Sequence, residues 1–238
     1  MNNIKIEKSS KVIGKVRFGK NVYIAQGSVV VSNNDSVKIG NNTSVLENSV
    51  VIGSKEYPTK VGHKTIFGHK SVTIGASIGN LCEIGNNSIF LPGSTVGDYC
   101  IFGEGCIVTE NMHIPSRSVV VGRPARVIRK LTAEDEKMIK TMRSNDISIE
   151  KFTENILEFE IGENSIDNLY KYNEKKPKVA KSAYVDNFAE ITGDVIIKDN
   201  SYIGAGVRII GNSHEPVKIG ENVSILENSV SLCCQITN

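Results

Sequence analysis

Between Ile78 and Val119 the chain repeats every six residues, seven times without a gap. The units open on Ile78, Ile84, Phe90, Val96, Phe102, Val108 and Ile114, each bulky and apolar. Their fifth positions hold Cys82, Ser88, Ser94, Cys100, Cys106, Met112 and Ser118, all small or slim except Met112. A helix stripe needs a period of about 3.6 and a half-buried strand a period of about 2, so neither accounts for six. A period of six fits a parallel β-helix, in which each hexad forms one flat face and three hexads close a coil. The first and fifth residues then point into a narrow core. Gly at the second position, as in Ile84-Gly85 and Phe102-Gly103, is expected at the corner with unusual backbone angles. Stacked coils satisfy each other's backbone groups, so stability comes from neighbouring coils. Cys82 and Cys100 should share one inward column as buried thiols.

Earlier hexads open on Ile6, Val12, Phe18 and Ile24, and again on Ile39, Val45, Val61 and Phe67. Val31 to Asp35 reads as a loop and Gly53 to Lys60 as a second excursion, while a five-residue unit from Thr73 leads into Ile78. At Leu131 the period changes. Thr132 with Asp135 forms a capping box, and Met138, Ile139 and Met142 give a helix one apolar edge. The spacing of Ile149, Phe152, Ile156 and Phe159 predicts a second short helix, and Gly162 to Pro177 reads as a linker. Hexads return on Val179, Val185, Ile191, Ile197 and Ile203. Residues 37–50 and 217–230 are identical at eleven of fourteen positions, which reads as an internal duplication. The expected organisation is a β-helix over 1–130, a helical segment and linker over 131–177, and a shortened second β-helix over 178–238. The second copy stops after about three coils. That is either a short coil whose open end docks a protein partner or a truncated product of a longer gene, and both readings stay open.

A net charge of +2 and the lack of phosphate-cradling or nucleic-acid motifs argue against a nucleic-acid binder. No apolar run is long enough for a membrane span, and the five Cys lack framework spacing. A cytoplasmic location is expected.

Several segments carry a family resemblance over about Val12 to Ile139. They are Gly27-Ser28-Val29-Val30, Ile39-Gly40-Asn41-Asn42-Thr43, Asn48-Ser49-Val50-Val51-Ile52 and Pro58-Thr59-Lys60-Val61-Gly62. The Gly68-His69 pair and the run from Ile114-Pro115 to Gly122-Arg123-Pro124-Ala125-Arg126-Val127 complete the set. In order and spacing they resemble the γ-class carbonic anhydrase-like branch of the hexapeptide-repeat proteins. The resemblance implies a left-handed coil, a homotrimer and a helix packed along the coil. It also implies one metal per subunit interface held by three histidines, where a bound water loses its proton and attacks CO2. Carried over, the ligand positions fall on Gly53, His69 and Ile74, so one ligand of three remains. The family's Arg, Asp and Gln fall on Val31, Asn33 and Leu46; in the second copy these three fall on Ile210, Asn212 and Leu226, and the Gly53 position falls on Cys233.

Three functions follow. The first is a non-catalytic assembly or binding module. The second is a coenzyme A-dependent acyltransferase with His69 as general base and Arg123 and Arg126, beside Arg129 and Lys130, meeting coenzyme phosphates. The third is a carbonic anhydrase with a relocated site, for which zinc or another divalent metal is expected only if His63 rescues the ligand set across a trimer interface. His113 and His214 lie on other rungs or in the other copy, and the vicinal Cys233-Cys234 alone is a weak metal signal.

Overall fold

The hexads of the first half stack rung on rung. In the computed structural model, which describes residues 3–152, 154–159, 169–171, 174–211, 216–232 and 235–236, Ser77–Ile78 pairs in parallel with Thr95–Val96 and that strand with His113–Ile114. Each step is 18 residues. The five-residue unit shortens one coil to 17, with Ile66 beside Glu83. The excursion after Gly53 lengthens another to 22, with Val50 beside Val72. The chain divides into two compact units, Met1–Ile161 and Gly162–Asn238, and each is a parallel β-solenoid.

All seven opening residues from Ile78 to Ile114 are buried. Phe90 and Phe102 meet edge to face at 5.0 Å. Cys82 and Cys100 lie buried on successive rungs as free thiols, and burial pushes the Cys82 thiol well up. The fifth-position hydroxyls are satisfied within the coil: Ser88 Oγ donates to the Gly103 carbonyl (3.3 Å) and Ser94 Oγ to that of Leu91 (2.7 Å). Met112, the bulky exception, is only partly buried against the core.

The corners differ from expectation in one respect. The left-handed backbone falls on the fourth position, at Leu81 (φ 55°), Asn87 (φ 56°), Tyr99 (φ 55°) and Asn111 (φ 57°), not on the second-position glycines. Those glycines are required by crowding. A Cβ on Gly85 would lie 2.6 Å from the Gly103 backbone of the next coil.

Two antiparallel strands cover solenoid edges of the first unit. Arg126–Lys130 folds back on Ser118–Val121 and ends one sheet. At the edge of the other sheet, residues expected to be helical instead form the strand Asn155–Phe159, paired with Lys11–Phe18. The long strand Lys11–Phe18 would otherwise leave a row of backbone groups unpaired, and strand alternation places Leu157 against the core while Ile156 stays exposed. Val31 to Asp35 is likewise no loop. It belongs to the strand Val29–Ile39, which rounds a corner through left-handed Asn34 and Asp35.

The expected first helix forms over Ala133–Met142 with its Thr132–Asp135 capping box. Ile139 is fully buried, whereas Met138 and Met142 stay exposed, so only the centre of the apolar edge is covered. Charge fastens the end of this helix to the coil. Arg143 pairs with Glu83, both nearly buried, and donates through Nε to the Lys64 carbonyl (2.8 Å). The Lys64 ammonium, 4% exposed, reaches Asp146 at 2.7 Å. Burial raises the Glu83 pKa and Arg143 lowers it only in part, so this pair fixes position more than it adds stability.

In the second unit Ile191, Ile197, Ile203, Ile209 and Ile219 fill the core. Leu169–Tyr170 already pairs with Glu190–Gly193, so the coil begins inside the segment expected as a linker. No helix among the described residues is long and apolar enough to cross a membrane.

Glu83→Ala, which strands a buried guanidinium, should lower the unfolding free energy by about 3–5 kcal/mol. Glu83→Leu combined with Arg143→Met should recover most of that loss. Denaturant titration checks both variants.

Candidate functional site

The strand register decides what stands where the family would place its ligands. Ile13 pairs with Val31, Val31 with Ile52, and Ile52 with Ile74, giving one column on the outer side of a coil face. The position over Ile74 is therefore Ile52. Gly53 pairs with Ser32 and points inward, where a Cβ would lie 2.6 Å from the Ser36 carbonyl oxygen. A one-residue step along a strand turns a side chain to the opposite face, so Gly53 and Ile74 cannot share a site. The four aliphatic residues of the column are each half-buried in the single chain.

His69 sits at a corner, 53% exposed. Its backbone N–H donates to Asn86 Oδ1 (2.8 Å), and its Nδ1 lies 2.8 Å from Glu47 Oε2. In a neutral imidazole this contact places the proton on Nδ1 and leaves the Nε2 lone pair facing outward. A carboxylate–imidazole pair of this kind can accept a proton. Leu46 beside Glu47 is half-buried, and Asn33 is exposed.

His63 has a different duty. Along one corner, each backbone N–H is received by the side chain of the next coil. Lys20 N–H donates to Asn41 Oδ1 (3.0 Å), Asn41 N–H to His63 Nδ1 (3.0 Å) and His63 N–H to Asn80 Oδ1 (2.8 Å). The chain continues from Asn80 N–H to Asp98 Oδ1 (2.7 Å) and from Asp98 N–H to Ser116 Oγ (3.0 Å). His63 takes part only with Nδ1 unprotonated. Burial, then the Lys38 charge, lowers its pKa, and the Phe152 ring lies edge-on 5.9 Å away. Sequence reading missed this ladder, although polar residues at the third position of every third hexad (Asn80, Asp98, Ser116) were its signal.

The other candidates lie apart. His113 Nδ1 contacts Thr95 Oγ1 (2.8 Å) on an exposed face. Arg123 Nε donates to the Gly105 carbonyl (2.5 Å), and Arg129 pairs with Asp135, while Arg126 and Lys130 stay exposed. Ile210 is half-buried, and Leu226 is 61% exposed. His214, Asn212 and the Cys233-Cys234 pair lie outside the described residues. Among the described residues, no three His, Cys, Asp or Glu side chains group closely enough to hold a metal ion. A zinc ion needs at least three such donors, so the ligand column as built does not fit one.

Residues 75–110 match the family model described as bacterial transferase hexapeptide (six repeats). The chain is 33% identical over 154 residues to a probable carbonic anhydrase of Methanocaldococcus jannaschii, covering 65% of this chain and 95% of that one. It is 32% identical over 143 residues to the mitochondrial gamma carbonic anhydrase 1 of Arabidopsis thaliana, covering 58% of this chain and about half (52%) of the plant protein. Among solved structures it is similar in fold to AntD, an N-acyltransferase from Bacillus cereus, with TM-score 0.51 and 16% identity over 60% of this chain and 89% of that one.

His63→Asn should keep the ladder, since Asn41 and Asn80 do the same work above and below. In the native chain the depressed His63 pKa means the unfolded state takes up the proton first. Stability is then full above pH about 6.5 and declines as pH falls below it. Denaturation midpoints measured from pH 7.5 to 5 should fall less steeply in the variant than in the native chain.

Proposed function

The chain belongs to the γ-class carbonic anhydrase-like branch of the hexapeptide-repeat proteins, and from that membership we propose that it is a non-catalytic assembly or binding module rather than a zinc hydratase. The column Ile13–Val31–Ile52–Ile74 carries this reading. Isoleucine offers a metal no lone pair, and this reading puts two of the three ligand positions on Ile52, in place of Gly53, and on Ile74 beside it. Polar groups that the reaction needs are replaced as well, by Val31, Asn33 and Leu46. A half-exposed aliphatic column suits contact with another protein surface. The natural contact is a second and third copy of this chain, giving a homotrimer through the coil faces. In this reading the second coil arose by internal duplication and supplies a further binding surface.

Acyl transfer is the second reading, favoured by the His69–Glu47 pair and its outward Nε2. Arg126 and Lys130 remain available for coenzyme phosphates, while Arg123 is engaged by Gly105. A relocated metal site ranks last, because the His63 Nδ1 already receives the Asn41 N–H.

Sedimentation of the full chain should give three times the monomer mass. CO2 hydration followed by stopped flow should match buffer with or without added zinc. Zinc-dependent hydration would overturn the proposal. Acyl transfer from an acyl-coenzyme A that vanishes in His69→Ala, with coenzyme A binding retained, would install the second reading.

A further inference from the structure

One corner of the first coil is crossed by the chain that links the helix to its edge strand. Asp146 to Phe152 runs over the corner that carries the hydrogen-bond ladder, and it is anchored at its start and just beyond its end. At the start the Lys64 ammonium holds the Asp146 carboxylate (2.7 Å), which also accepts from the Ser148 N–H (3.1 Å). Beyond the end Glu154 pairs with Arg17 (2.7 Å), and Asn155–Phe159 pairs with Lys11–Phe18. Between these anchors the hold is slight. Among the described residues, 147–152 take part in no backbone-to-backbone hydrogen bond. Glu150 reaches Lys20 only at 4.0 Å, with both side chains exposed, and the Lys151 carbonyl accepts from Asn41 Nδ2 at 3.4 Å. Ile149 stays exposed, whereas Phe152 is half-buried. The Phe152 ring has the Lys38 ammonium 4.0 Å from its centre and the His63 ring edge-on at 5.9 Å.

His63 is therefore both a rung of the ladder and the seat of Phe152. Its Nδ1 accepts the Asn41 N–H, so the neutral imidazole carries its proton on Nε2. A second proton enters at Nδ1, where it faces the Asn41 N–H donor to donor, and the ring has to turn out of the ladder. Burial opposes that proton first, the Lys38 charge next, and Lys64 adds to them. Glu150 on the crossing segment favours it, but that carboxylate is exposed and stands beside Lys20. Asp146 is taken up by Lys64, and Lys38 already occupies the Phe152 ring against a second cation.

We propose that residues 146–152 form a pH-gated strap, in which a proton taken up at His63 Nδ1 turns the imidazole out of the ladder and releases Phe152 from the coil. The strap is closed above pH about 6.5 and opens as pH falls below it, because the open form takes up the proton that the closed form disfavours. Release uncovers Lys38, the middle cation of the in-register column Arg17–Lys38–Lys60.

The test is ¹⁹F NMR on the full chain with 4-fluorophenylalanine in place of Phe152 alone and, in a second sample, of the core residue Phe102 alone. A neutral gadolinium chelate in the buffer broadens each fluorine line according to its exposure. The window from pH 7.5 to 5.5 lies above the ordinary carboxylate range. Across it the line at 152 should broaden, with the open population growing up to about tenfold as an open-state imidazole titrates near 6.5. The line at 102 should stay sharp at both pH values. His63→Asn keeps a side-chain acceptor for the ladder but cannot take up the proton, so its line at 152 should broaden equally at both. Broadening at 152 that does not change with pH in the native chain, or that rises as much in His63→Asn, would overturn the proposal. Matching broadening at 102 would overturn it too, since the coil itself would then be opening.

Discussion

Everything in this molecule depends on how closely one coil lies on the next. At the corners the backbones approach until a single Cβ on Gly85 would collide with Gly103, and a Cβ on Gly62 would lie 2.5 Å from the Gly79 backbone. That proximity lets backbone N–H groups reach the side chains of the following coil, which forms the ladder from Lys20 to Ser116. It also locks the register. With the register locked, each outward position becomes a vertical column, and the character of a column decides what the surface can do.

The proposed function rests on reading those columns. Where three imidazoles would be needed for zinc, the stacked positions hold aliphatic side chains and His69 stands alone with Glu47. One imidazole with a carboxylate can move a proton but cannot by itself hold a metal ion in a hydratase. The same logic separates the two coils. A column carrying Lys5 over Tyr23 sets an ammonium on an aromatic face, and one carrying Tyr184 over Tyr202 stacks two rings.

The solenoid itself was legible because a narrow core leaves so little choice: a bulky apolar residue and a small one recur every six residues, and no other period fits Ile78 to Val119. Even the 17-residue coil was visible in the five-residue unit from Thr73. Long-range pairing was not. Ile149, Phe152, Ile156 and Phe159 have helical spacing, yet the unpaired edge of Lys11–Phe18, more than a hundred residues away, recruits Asn155–Phe159 as a strand. The hexad around Glu83 likewise carries no local signal that Arg143 is brought over it. At the candidate site the sequence put the first ligand position on Gly53, whereas the strand register sets Ile52 beside Ile74 and turns Gly53 to the other face. His69 was found from a motif, but its partner Glu47 lies one coil below and carries no local signal.

The central claim is that the metal site was lost by replacing the ligands within an otherwise intact coil. Metal content of the purified chain, measured by mass spectrometry beside an Ile52→His, Ile74→His double variant, tests it most directly. The account predicts a native chain without stoichiometric zinc and a variant that takes up close to one zinc per chain, lost again on adding His69→Ala. Stoichiometric zinc in the native chain would contradict it.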